Sequence, residues 1–591
     1  MPIKYSAAAC LAALLLVGAV TAVPAWAAEP TPPVLDAMST ELNRAFQLLG
    51  RQSGAKPEDA KQLPPYFLSY TAHDTEMVLI GAQYGALSSS MAGHMRSADV
   101  LVRVGSPQLD NTHGDHHSSA VQTVQLPVTG NREALQRTLW MATNAGYGAA
   151  LDNYLRVKTE AEVRAKEEDS SPDFSQEKPQ VHVEQPAPAL SVDRAAWEKR
   201  VVALSRLLRE FPDVYASQAI FAAQNATTYF ASSEGSRVAT QHRAVGIVVL
   251  AMTRAEDGMD LFLSRDFQAE SIEGLPSQAE MEKGVRELGA QLEALRKAPV
   301  TVPFDGPAIL SGRAAAVFFH EVLGHRLEGQ RQRGDQEGQT FTKELGKLVL
   351  PEFLSVADDP TLERFGQTVL GGHYSYDSEG QPARRVELID KGMLKTFLMS
   401  RLPIASFANS NGHGRAQAGR VPTGRQGNLV VSSTKTVSEA ELRKQLIDEA
   451  KRQGKPFGLY FEDISSGFAV TQRSSPQAFQ VIPLVVRRVY VDGRPDELVR
   501  GVSIVGTPLA AMKRILVTGD RQEVFDGVCG AESGSVPVSA IAPAMLLSEL
   551  ETQRQPQGTA RPPILPIPGV DEGSGFRGQG PENGNGKGGA R

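Results

Sequence analysis

Residues 313–330, RAAAVFFHEVLGHRLEGQ, constrain this chain more than any other stretch. An apolar run carries His320, then Glu321, and five positions after the first histidine a second one, His325. Ala316, Phe319, Leu323 and Leu327 form an apolar stripe, and the bland reading of such a stripe is a core helix. A His-Glu pair inside it is costly to bury without a task. Two imidazoles beside a carboxylate are the parts of a zinc hydrolase site: the histidines hold the metal, and the carboxylate takes a proton from the water it activates. The familiar short zinc motif spaces its histidines at i and i+4 on one helix face. At i and i+5 they would stand roughly 140° apart around a helix. Gly324 is the expected place for a correction, as a one-residue π-bulge restoring an effective i, i+4 relation.

The segment HEVLGHRLEG resembles the HExxxH helix of the TldD/PmbA metallopeptidases, also called the modulator-of-DNA-gyrase family. Residues 377–398, DSEGQPARRVELIDKGMLKTFL, resemble that family's long hairpin. Residues 502–538, VSIVGTPLAAMKRILVTGDRQEVFDGVCGAESGSVPV, resemble its C-terminal block. The resemblance implies that Cys529 is the third ligand of one zinc ion per chain, beside His320 and His325, with Glu321 as general base. It also implies a peptidase acting on small or unfolded polypeptides, its site enclosed by a dimer of like chains or with a related subunit. Both histidines, the glutamate and the cysteine are present, so the chain resembles the catalytic type. Glu328 reads either as an orienter of a ligand or as a structural salt-bridge partner. A non-catalytic, metal-braced subunit is the alternative from another class, and a hydrolase of a non-peptide amide is a third reading.

The loop 405–428, ASFANSNGHGRAQAGRVPTGRQGN, carries His413, Arg415, Arg420 and Arg425. The resemblance places this loop beside the active site, where His413, Arg415 and Arg420 are candidates for contacting substrate through charge-assisted hydrogen bonds. An exposed loop with solvated charges is the equal alternative. His413 is also a conceivable fourth ligand, although a catalytic zinc ordinarily keeps one position for water.

At 591 residues the chain is too long for one core, so two folded domains plus tails are expected. A net charge of -6 gives no reason to expect nucleic acid, which calls for a basic patch. Lys4, an apolar run over 8–23 and Ala25-Trp26-Ala27 read as a signal peptide over 1–27, giving an exported, periplasmic or secreted protein without a lasting membrane anchor. The chain has two cysteines, and Cys10 would leave with that leader. Cys529 then has no partner for an internal disulfide, and metal coordination would protect an otherwise exposed thiol chemistry in an oxidising compartment. A plain buried cysteine is the alternative.

The fold expectation is α+β: a mixed N-terminal α/β domain over 28–299, then a β-rich, antiparallel, barrel- or sandwich-like domain over 300–552 carrying the metal helix. Strand character marks 66–71, 78–91 and 99–105, and helices are expected near 34–50, 131–167, 193–210 and 277–297. A strand meander fills 214–266 with a turn at 231–236. The polar stretch 168–190 reads as a mobile insert or linker. DNTHGDHHSS, with His113, His116 and His117, reads as a solvated loop. In the second half, strands are expected at 384–390, 393–399, 428–433, 457–472 and 478–504, a last helix at 507–515, and a disordered tail over 553–591.

Overall fold

The computed structural model describes residues 31–50, 63–114, 121–163, 169–185, 187–333, 338–475 and 478–555. Two strands of the N-terminal half, β1 (Pro65–Gln83) and β2 (Ala86–Ser106), form one long hairpin that turns at Tyr84-Gly85. The expected strand 78–91 therefore straddles a turn: its apolar residues belong to two antiparallel strands. The sheet continues from β1 to β3 (Ala216–Ser232), β4 (Arg237–Arg254) and β5 (Asp260–Ala269), all antiparallel. Strand alternation sends Leu68, Tyr70, Ile80, Phe221 and Ile247 to one face, where four helices cover them. These are α1 (Pro33–Leu48), α2 (Arg132–Val163), α3 (Arg194–Leu207) and α4 (Gln278–Lys297). Asn131 caps α2, and Ser277 with Glu280 makes a capping box on α4.

The stretch 169–185 departs from the linker expectation. Val181–Val183 is a short strand parallel to β4. Upstream of it, buried Asp173 receives Arg333 at 2.9 Å and faces His113 at 2.8 Å. Asp173 thus has side-chain partners from both halves of the molecule. His116 and His117 lie outside the described residues, as do the leader and 556–591.

The C-terminal half is built on β6 (Asp305–Leu310), β7 (Phe457–Ala469), β8 (Phe479–Tyr490), β9 (Val502–Gly506), β10 (Ile515–Ala531) and β11 (Gly534–Arg554). Strand β11 pairs with both β9 and β6, and β6 pairs with β7, so the path β11-β9-β8-β7-β6 closes on itself. Most pairings are antiparallel as expected, but β6 runs parallel to β7, and Asn428–Ser433 runs parallel to β11. The hairpin β10–β11 was not anticipated beyond the helix at 507–515. Its ladder covers Ile515–Ala531 against Gly534–Leu547, and it carries Cys529.

Helix α5 (Gly312–Val322) is enclosed by these strands, with every residue but Arg313 buried. Its aliphatic and aromatic side chains pack on Phe461, Phe479, Ile504, Ile515 and Met545, as befits a helix apolar nearly all round. The fold is thus a mixed α/β protein with two large sheets. Among the described residues no helix is long and apolar enough to cross a membrane.

Candidate metal centre

Ser311 starts α5: its Oγ accepts from the Ala314 amide at 3.0 Å and donates to the Glu462 carbonyl at 2.9 Å. The helix does not continue through Gly324 with a π-bulge. It stops at Val322, Leu323 bends away at φ -112°, and Gly324–Leu327 make a 3-10 turn. The tighter turn brings His325 back toward His320, with ring centroids 5.0 Å apart. Gly324 matters for space: a Cβ there would fall 1.9 Å from Gln426 Oε1. The physical problem set by the five-residue spacing was legible, and the solution is a helix end.

Cys529 Sγ lies 3.2 Å from His320 Nε2 and 3.3 Å from His325 Nε2. The three donor atoms all lie within 4.8 Å of one another, and all three residues are buried. Tetrahedral zinc with ordinary Zn–S and Zn–N bonds sets a sulfur–nitrogen separation of roughly 3.5 Å, so both sulfur–nitrogen sides lie within a few tenths of an ångström of that value. Burial pushes the Cys529 thiol up, but the charges of His320 and His325 outweigh it and bring it down to about 4. The centre therefore favours a thiolate, the form that binds metal. His320 Nδ1 and Glu321 Oε2 are among the buried atoms without a hydrogen-bond partner, as is Gln426 Oε1 beside Gly324. One thiolate and two imidazoles suit zinc among the common divalent ions.

Glu321 is 3.9 Å from His325 Nε2 through Oε2 and is pushed up by burial. It lines a cavity of about 640 Å³ shared with His320, His325, Cys529, Phe262 and Phe468. Gly467 on β7 makes the room: a Cβ there would meet Glu321 Cγ at 2.5 Å. No sequence pattern marks Gly467 for this role, because the crowding comes from a distant helix.

Glu328 reaches both of the roles read for it. Its Oε1 is 3.1 Å from His325 Nδ1, and its Oε2 accepts from Arg331 Nε at 2.8 Å. Burial raises its carboxyl, but His325 and Arg331 hold it down to about 2. The loop 405–428 is divided: His413 and Arg415 are buried, whereas Gln417 to Arg420 are exposed. His413 is fully buried, its Nε2 3.2 Å from Asp358 Oδ1 and its Nδ1 3.1 Å from Asn411 Oδ1. Both nitrogens are engaged, so the fourth-ligand expectation is corrected: His413 stands outside the converging group. Arg415 is also turned inward, bonding the Gln426 carbonyl at 2.5 Å and facing the Tyr374 ring. Arg420 is exposed and lines a separate cavity with Phe67, Asp99 and Arg401.

Residues 305–554 match the family described as PmbA/TldA metallopeptidase C-terminal domain. The chain is similar to a protein named metalloprotease from Methanothermobacter thermautotrophicus, 26% identical over 353 residues covering 58% of this chain and 71% of the relative. It is also similar to a zinc metalloprotease TldD homolog from Saccharolobus solfataricus, 24% identical over 250 residues, 42% of this chain and 51% of the relative. The chain thus spans about half of that second relative's length. Among solved structures, TldE from Thermococcus kodakarensis shares the fold at a TM-score of 0.58 and 13% identity, over 88% of this chain and 100% of that one. Residues 305–554 are therefore similar to the C-terminal domain of the PmbA/TldA metallopeptidases.

Proposed function

We propose that this protein is a zinc-dependent peptidase that hydrolyses peptide bonds of small or unfolded polypeptides, with one zinc per chain on His320, His325 and Cys529. The carrying observation is the convergence of those three donor atoms beside a buried Glu321 oxygen without a hydrogen-bond partner in one cavity. Zinc would supply a Lewis acid that polarises a carbonyl and acidifies water. Glu321 Oε2 faces the cavity with no competing hydrogen bond, free to take the proton of the attacking water and pass it to the leaving amine. Burial raises its affinity for a proton above that of a solvated glutamate, which suits a proton acceptor. Glu328 holds the outer nitrogen of His325, fixing the ring so that Nε2 points to the metal position.

A second chain, either another copy or a related subunit, closes this cavity in our reading. The sheet face opposite the four helices carries exposed Met91, Met95, Met252 and Phe262. Across that face Met91 pairs with Leu79, Leu79 with Ala222, Ala222 with Gly246 and Gly246 with Gln268, a path without charge. Phe262 at its end lines the metal cavity. Asp266 and Gln268 share this face with Phe262, and exposed apolar side chains set among polar ones are what an interaction site presents. Export rests on the leader over 1–27, and N-terminal sequencing of the mature chain tests it.

The functional test is hydrolysis of an unstructured polypeptide such as casein, read beside metal content. Glu321→Gln keeps the metal and loses about 10²–10⁴-fold in rate. Metal bound tightly with no hydrolysis by wild type would instead favour a metal-braced, non-catalytic subunit.

A further inference from the structure

The loop 405–428 touches the metal centre through Arg425 and Gln426. Arg425 is fully buried. Its Nη2 donates to the Cys529 carbonyl at 2.7 Å, and its Nη1 donates to Ser533 Oγ at 2.9 Å and the Gly534 carbonyl at 3.0 Å. The guanidinium thus grips both strands of the β10–β11 hairpin at its tip. On the other side its Nε is 3.4 Å from Glu328 Oε1, the oxygen that faces His325 Nδ1 at 3.1 Å. The neighbouring Gln426 donates to the His320 carbonyl at 3.4 Å, and its amide occupies the space a side chain at position 324 would need.

We infer that Arg425 is a positioning residue for the metal: it ties the strand bearing Cys529 to the carboxylate that orients His325. The inference rests on the reading that His320, His325 and Cys529 hold a metal. These donors come from elements 204 and 209 residues apart in sequence. Left to the chain alone, the hairpin tip and the 3-10 turn are joined at this point only through side chains. A planar fork with donors in fixed directions serves such a link, because it can bond the hairpin's carbonyls and face Glu328 at once. A lysine keeps the charge opposite Glu328 but has one nitrogen, which cannot span both sides. Arg331 braces Glu328 from its other oxygen and continues to Glu532 at 2.9 Å, so the carboxylate stays partly compensated when Arg425 is shortened.

The test measures zinc affinity by competition with a chromophoric chelator, for the full chain and Arg425→Lys, beside the melting temperature of both metal-free proteins. Cobalt-substituted samples give a second readout, the thiolate-to-cobalt charge-transfer band, which reports the Cys529–metal bond directly. Arg425→Lys is expected to bind zinc about 10–100-fold more weakly, the range for lost partners of metal ligands. Its charge-transfer band weakens or shifts, while the metal-free melting temperature stays close to wild type. An unchanged affinity and band would overturn the inference. A metal-free melting temperature that collapses would also overturn it, since Arg425 would then be a general support of the fold. Ser533→Ala removes one bond of the grip without changing charge and should weaken zinc less than Arg425→Lys does; an equal or larger loss contradicts the assignment. If wild type itself binds no metal, the reading beneath the inference fails instead, and the two failures are distinct.

Discussion

Two histidine-bearing regions lie close in the same half of the molecule and behave in opposite ways. At the end of α5, His320 Nδ1 and Glu321 Oε2 are buried with no hydrogen-bond partner, and three donor atoms crowd together. In the loop 405–428, His413 is more deeply buried, yet each ring nitrogen has an oxygen beside it, from Asp358 and from Asn411. Burying an unpaired polar group is costly. A protein tolerates that cost where a metal, a water or a substrate completes the shell, and avoids it where the group only supports the fold. Residue type and burial do not separate His320 from His413; the unfilled bonding capacity of the ring does.

The comparison can be broken most severely at Cys529. Cys529→Ala should take metal content from about one ion per chain to near zero after dialysis, because two imidazoles alone leave a catalytic zinc short of a ligand; retention of the ion would show that sulfur is not a donor. A gentler intrusion is Gly467→Ala, whose Cβ would displace Glu321 without touching a metal ligand. Metal content should be unchanged while hydrolysis falls about 10–100-fold, the cost of misplacing a catalytic group by around 1 Å. His413→Ala should do the reverse. It leaves the Asp358 carboxylate short of a buried partner and lowers stability by about 1–3 kcal/mol in a denaturant titration, with metal content intact.

Asp377 and Glu379 sharpen the contrast through pH. Burial and then the neighbouring Asp377 charge push the Glu379 carboxyl up. A carboxyl raised in the folded state contributes its stability in full below an unfolded pKa of about 4.3 and loses it as pH climbs through the raised value. Wild type should therefore lose stability from weakly acidic to mildly alkaline pH, and Glu379→Gln should flatten that decline in melting curves. Arg420→Ala is expected to have the smallest effect. Its side chain is exposed and lies outside the metal cavity, so stability should stay within about 0.5 kcal/mol and KM for casein should not change.

Much of the metal helix was legible because His320, Glu321 and His325 lie close in sequence and interrupt an apolar run. The path that unites the histidines was not, since choosing between a π-bulge and a helix end depends on Gln426 filling the space beside Gly324. Cys529 entered through resemblance and through its lack of a disulfide partner; the hairpin that presents it was missed, although its strands are the longest of the C-terminal half. Those strands carry polar residues such as Asp520, Arg521 and Gln522 at the bulge between Thr518 and Gln522, which breaks the alternation a strand reading needs. The strap through Asp173 looked like a linker because its partners, Arg333 and His113, are remote in sequence. Long-range polar pairing is what local composition cannot display.

The most direct test of the centre is X-ray absorption at the zinc edge of the metal-loaded protein. One sulfur at about 2.3 Å and two imidazole nitrogens at about 2.0–2.1 Å are expected, with the sulfur shell absent from any metal retained by Cys529→Ala. A wild-type spectrum with only nitrogen and oxygen neighbours would contradict the assignment of Cys529, and with it the proposed centre.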